Sequence, residues 1–157
     1  MLVDHRLAAE RAALADRRNR RNIPAYGDYF KSTIPDWFGS ISLNDRLARN
    51  PDRAVKELTA YFSEMEQEAG CPIAVILAEA RGSLERRLHY HFLASGVDHL
   101  SRKRWWRLAF ERFGNTRILP YDDEKGGVYY VAENALSKDG NLYFLGKWWE
   151  LQKGRPL

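Results

Sequence analysis

Cysteine is almost missing from this chain: one residue, Cys71, stands among 157. A single thiol excludes an internal disulfide framework and any cysteine-rich zinc site. Long apolar runs are also lacking. The longest, Pro72–Ala78, falls far short of the about 20 residues needed to span a bilayer. The opening Met-Leu-Val-Asp-His-Arg has no charged-then-apolar secretory pattern. No internal repeat is visible, and no low-complexity segment beyond a basic stretch near the start. A soluble intracellular protein with no membrane partner is the expectation.

What is present fits one domain with a short arm. A chain of 157 residues and 18.3 kDa can bury about two-thirds of its unfolded surface without staples. Hydrophobic residues make up 45%, a globular share. Lys and Arg number 25 against 21 Asp and Glu, a net charge of +4 and a pI near 9.3. That balance favours an anionic partner, nucleic acid first.

Residues 4–22 (DHRLAAERAALADRRNRRN) carry six arginines against three acids. They read as a helical arm, either a solvated helix or a DNA-touching one. Pro24 and Gly27 are expected to break the chain, so 1–28 is read as the basic arm and 29–157 as the domain.

Within the domain the hydrophobic period switches in order. Trp37–Leu43 alternates as a strand. Asn50-Pro51-Asp52 starts a helix whose apolar residues Val55, Leu58, Tyr61, Phe62 and Met65 run to Gly70. Ile73–Ala80 and Leu88–Ser95 read as strands of a hairpin turning at Arg81–Arg87. Ser101–Phe113 is helical, with Trp106, Ala109, Phe110 and Phe113 as its apolar stripe. Thr116–Tyr121 is a strand, Gly127–Lys138 a helix, and Asn141–Trp148 a last strand. The expected architecture is α+β: a ferredoxin-like or RRM-like split βαβ plan, about five antiparallel strands, with helices packed on one face.

His89-Tyr90-His91 is the most informative short motif. Alternate strand residues share a face, about 6.6 Å apart along the strand, so two imidazoles can converge on one cation while Tyr90 turns inward. A tight hairpin would set Glu79 opposite His89 and on its face. Glu79 is the one acid in an otherwise apolar strand, where a carboxylate is costly unless paired or metal-bound; pairing with Arg81 or Arg87 is the alternative. Two imidazoles and a carboxylate leave coordination positions open and suit Mg2+ or Mn2+, with Zn2+ also able to bind.

On the helix Val128–Lys138, Val128, Val131, Ala132, Ala135 and Leu136 form one stripe. Tyr130 falls on the opposite face with Glu133, Asn134 and Ser137, flanked by Lys138. A phenol there is either a nucleophile or an ordinary surface tyrosine. In Ser101–Arg107, the cations Arg102, Lys103, Arg104 and Arg107 are candidate phosphate contacts and Trp105 a candidate stacking plane, with Trp106 assigned to the core. His99 and His5 lack spacing partners and are taken as incidental.

Together these pieces resemble the His-hydrophobic-His (HUH) endonuclease superfamily, in particular the rolling-circle replication initiators. The similar segments are Phe38–Leu43, Glu79 ahead of His89-Tyr90-His91-Phe92-Leu93, and the stretch from Trp105/Trp106 through Phe113-Gly114 and Arg117-Ile118 to Gly126-Gly127, Tyr130-Val131-Ala132 and Leu136-Ser137-Lys138. The resemblance implies His89, His91 and Glu79 as metal ligands, Tyr130 as nucleophile and Lys138 as the basic residue after it. Many relatives read Tyr-Val-Ala-Lys-Tyr. Here Glu133 and Asn134 replace the last two, which implies a single-tyrosine mechanism, and Lys138 lies one residue further on than in the common pattern.

The implied activity is sequence-specific nicking and rejoining of single-stranded or hairpin origin DNA through a 5′-phosphotyrosyl intermediate, with Mg2+ or Mn2+. A free phenol ionises near ~10, so a nearby cation is needed to favour the phenolate. The setting implied is the cytoplasm of a cell hosting a plasmid, phage or virus, with a host helicase and polymerase as partners. The alternatives are a non-catalytic RRM-like nucleic-acid-binding module, and a hydrolase that uses metal-activated water.

Overall fold

A computed structural model describes residues 21–81, 88–137 and 141–152. The elements are α1 (residues 21–31), β1 (Trp37–Ser42), α2 (Asp45–Ala48), α3 (Pro51–Ala69), β2 (Ala74–Arg81), β3 (Leu88–Ser95), α4 (Arg102–Phe113), β4 (Thr116–Pro120), α5 (Gly127–Ser137), β5 (Leu142–Leu145) and α6 (Lys147–Gln152). Most of Residues 4–22 and the centre of the β2–β3 turn lie outside the described residues, as does Lys138.

The strands form one antiparallel sheet in the order β4-β1-β3-β2-β5. The first four reproduce the split βαβ arrangement, because β3 lies between β1 and β2. β5 then adds to the β2 edge. The α+β expectation holds.

Local chemistry explains the boundaries. Asn50 caps α3 by accepting from the Arg53 amide, and Pro51 at the first helical position sacrifices no bonded N–H. Gly70, at φ 67°, ends that helix in the left-handed conformation. Along α3 the residues Leu58, Tyr61, Phe62 and Met65 are all buried, and each large apolar side chain contributes about 1.5–3 kcal/mol by leaving water. They pack on Ile41, Val75, Leu77, Tyr90 and Phe92 of the sheet, together with Trp105, Ala109 and Phe113 of α4.

The expected one-sided cover of the sheet is corrected: helices lie on both faces. On the second face α5 sets Val128, Val131, Ala132 and Ala135 against Ile76, Ala78 and Leu93, and Phe30 of α1 joins them. The break expected at Pro24 and Gly27 is absent, since residues 21–31 are continuously helical. Gly27 instead permits close approach: a Cβ there would sit 2.2 Å from the Tyr129 ring of α5. Tyr129 also donates to Asp28 at 2.6 Å, so α1 is bolted to α5.

The last strand is shorter than expected. It ends at Leu145 because Gly146 takes φ 97° and its backbone closes on Ile73 O. Trp148 therefore falls in α6. The Glu66 carboxylate of α3 accepts from the amides of Ile73 and Lys147 at 2.9 and 2.7 Å, holding the starts of β2 and α6 together. No helix among the described residues is long and apolar enough to cross a membrane.

Candidate functional site

The second sheet face is covered over β2 and β3 by α5, and β1 with the edge strand β4 stays more open. His89 and His91 emerge there from β3. The register places His91 between Ser40 of β1 and Ala78 of β2, and His89 between Ser42 and Ala80. Each imidazole is therefore flanked on both sides by small side chains. The two rings lie 5.2 Å apart between centroids, at 88°. His91 is 7% exposed and packs in parallel with Phe38 at 6.3 Å.

Tyr130 of α5 joins this pair. Its ring meets His91 edge-on, 4.9 Å between centroids, and Phe38 at 6.2 Å. It is 47% exposed, so its phenol reaches solvent while one ring edge is held. Its neighbour Tyr129 is committed to Asp28, whose hydrogen bond raises that phenol's pKa. Consecutive tyrosines thus divide between fixing α1 and facing the histidines.

His91 and Tyr130 border a cleft of about 430 Å³, whose other walls include Ser40, Arg117, Tyr121 and Lys125. Arg117 pairs with Ser40, which pairs with His91. That places Arg117 in the same row as His91 and two strand spacings, about 10 Å, away. Both basic residues escaped the reading of the sequence as site residues. The signal for Arg117 was alternation: Thr116 and Ile118 are buried and Arg117 is exposed. Lys125 sits in a single 3-10 turn, Asp123–Lys125, with no periodicity to mark it. Burial and the hydrogen bond to Asp123 push the Tyr121 phenol up to about 12. Asp123 in turn holds Lys31 of α1 at 3.0 Å, so this wall of the cleft is braced from the N-terminal helix.

Glu79 does not join the histidines. Its register partner is Tyr90, whereas His89 pairs with Ala80. Directly opposed residues share a face and a one-residue slip reverses it, so Glu79 lies on the α3 side. Setting Glu79 against His89 requires five residues between Arg81 and Arg87; the observed Arg81–Leu88 pair leaves six. Glu79 is buried, and Asn141 binds it twice: the side-chain amide donates to its carboxylate at 3.3 Å, and Asn141 O accepts from its amide at 2.9 Å. Among the described residues no group of three His, Cys, Asp or Glu side chains gathers at one point. Among the described residues the candidate donors gathered here are the two imidazoles.

The basic segment of α4 lies on the other side of the sheet. Trp105 is 2% exposed and packs on Tyr61 at 5.4 Å, which removes it as a stacking plane. Arg104 is tied to Glu68, and Arg102 and Lys103 stand at the start of the helix. The roles of the paired tryptophans are the reverse of those expected. Trp106 is the exposed one, and so is Phe110. Asn134 likewise leaves the polar face assigned to it: it is buried, and its amide donates to Tyr130 O at 2.8 Å. His99 Nε2 donates to Ala69 O, 2.8 Å away, a structural role. His5 and Lys138 lie outside the described residues.

No protein-family model, no curated protein and no solved structure gives a significant match to this chain.

Proposed function

We propose that the chain is a metal-dependent nickase and ligase of single-stranded DNA that uses Tyr130 as nucleophile, in the manner of the HUH endonucleases. One observation carries this reading: the His91 ring lies between those of His89 and Tyr130, 5.2 and 4.9 Å away, at the wall of a cleft that also holds Arg117. A buried His91 beside a part-exposed His89, both flanked by serine and alanine and with a half-exposed phenol in contact, is a costly way to fill a sheet face and a useful way to present donors.

The donor set fits a divalent ion in part. His89 and His91 would hold it, with water and substrate oxygens completing the shell; without Glu79 the donors among the described residues are nitrogen only, which favours Mn2+ over Mg2+. Bound there, the ion would supply Lewis-acid polarisation of the scissile phosphate. The Tyr130 oxygen attacks phosphorus in line and loses its proton to solvent or a neighbouring base. The bond from phosphorus to O3′ breaks, the 3′-oxygen takes up a proton, and the 5′ end stays as a phosphotyrosyl ester. Attack by a 3′-hydroxyl reverses the step. Arg117 and Lys125 supply positive charge for the flanking phosphates. An unpaired strand is the fitting substrate, because a duplex backbone is too stiff to enter a cleft walled by α5.

The RRM-like alternative is less well supported. It calls for aromatics on an open sheet face, whereas α5 covers β2 and β3 and the exposed aromatic pair sits on α4. The water-activated hydrolase shares the histidines and leaves the contact with Tyr130 without a use.

The test is a denaturing gel of the protein with end-labelled single-stranded oligonucleotides, including a randomised pool, with and without Mn2+. The expected result is a retarded, denaturant-resistant band that requires Mn2+ and vanishes in Tyr130→Phe. Cleavage without a band would transfer the reading to the hydrolase. Binding with neither cleavage nor a band would transfer it to the RRM-like module.

A further inference from the structure

On the outer surface of α4, Lys103, Trp106, Arg107 and Phe110 recur at i, i+3, i+4 and i+7, one stripe of a helix. Lys103, Arg107 and Phe110 are exposed, and Trp106 is 37% exposed. The two rings are stacked, 5.5 Å between centroids and 24° between planes. The remaining basic residues of this helix that point toward α3 are already neutralised, Arg104 by Glu68 and Arg112 by Glu64. Lys103 and Arg107 make no ion pair among the described residues. The Trp106 indole is held in place, because its N–H donates to Thr116 O at 2.7 Å. Thr116 begins β4, an edge strand, and the next residue, Arg117, lines the cleft on the opposite face.

We propose that this stripe is a second binding site for single-stranded DNA, a ledge on which bases stack against Trp106 and Phe110 while Lys103 and Arg107 meet phosphates. The chemistry selects the ligand. Bases stack on any flat aromatic surface and the backbone is polyanionic, so a rigid aromatic pair between unpaired cations suits an unpaired strand. A duplex hides its bases and gains only the charge. Continuity with the cleft argues the same way: a strand leaving Arg117 and passing over the β4 edge arrives at Trp106. The choice of DNA as the occupant rests on the nickase reading, but the ledge acts without metal and without cleavage.

The experiment measures fluorescence anisotropy of labelled oligo-dT, long enough to pass from the cleft to α4, on the full chain in EDTA. Phe110→Ala and the pair Lys103→Ala/Arg107→Ala are the main variants, since none of these side chains is buried. Trp106→Phe is added to remove the Thr116 bond while keeping a ring. Circular dichroism melts confirm that each variant is folded. Phe110→Ala is expected to weaken oligo-dT binding by about tenfold, the effect of losing one stacked base, with duplex binding unchanged.

Equal affinity of Phe110→Ala and wild type for oligo-dT overturns the ledge, as does wild-type protein that fails to bind oligo-dT at low salt. So does sedimentation showing a wild-type dimer and a Phe110→Ala monomer, which would assign the ring pair to self-association. If the ledge binds and no phosphotyrosyl adduct forms under any condition, the nickase reading fails alone.

Discussion

The imidazole of His91 and the ring of Tyr130 meet edge to face, 4.9 Å apart and inclined at 79°. One comes from the centre of an antiparallel sheet and the other from a helix laid across it, so their contact is a product of tertiary packing. It puts a phenol beside an imidazole at the wall of a cleft that also holds Arg117, Lys125 and Asp122.

Tyr129 and Tyr130 are separable by mutation. Tyr129→Phe removes the hydrogen bond to Asp28 and is expected to lower the melting temperature slightly while the covalent DNA adduct still forms. Loss of the adduct in Tyr129→Phe, with the band retained in Tyr130→Phe, would exchange their roles. Gel assay and thermal melt on the two variants decide the matter.

The register of β2 against β3 makes a second forecast. His91→Ala should reduce Mn2+ affinity, read by titration calorimetry, by at least about tenfold, a loss seen even when outer-shell partners of a metal are removed. Glu79→Gln should leave that affinity unchanged, because its side chain lies on the α3 face. A large effect of Glu79→Gln on Mn2+ binding would contradict the register described here.

Arg117 should act on DNA through charge alone. Replacing it with Ala removes one phosphate contact, so the slope of log affinity against log salt for single strands should shrink by about 0.7. The weakening should be similar for all sequences. An unchanged slope would exclude Arg117 from the DNA path.

The cleft wall also sets an alkaline limit. Tyr121 ionises at about 12 in the folded chain, because of burial and its bond to Asp123, against about 10 when unfolded. The unfolded state therefore releases its proton first, and this contribution to stability, complete below pH about 10, is lost as pH rises to about 12. Asp123→Asn removes the charge that opposes ionisation, so tyrosinate absorbance should appear at lower pH in that variant. Coincident titration curves would show that Asp123 is not a cause.

Much of this arrangement is legible in the residues. Alternation placed His89 and His91 on one face and gave β3 its bounds, and the 100° helical period turned Tyr130 away from the stripe of Val128, Val131 and Ala132. What escaped depends on distant partners. The face of Glu79 is set by whether five or six residues bridge the hairpin, and sequence does not specify that parity. Trp105 and Trp106 sit 100° apart on α4 with equal apolar appeal. Tyr61 and Phe113 claim the first, and a carbonyl at the edge of the sheet claims the second. The continuity of α1 past Gly27 depends on a ring 102 positions later.

The bolt between α1 and α5 has a mechanical consequence. Because the residue that fastens the two helices immediately precedes the one that faces the histidines, any pull on the first helix is transmitted through a single peptide unit to the aim of the phenol. Whatever grips that leading helix holds a lever on the aim of Tyr130, on the same face of the sheet.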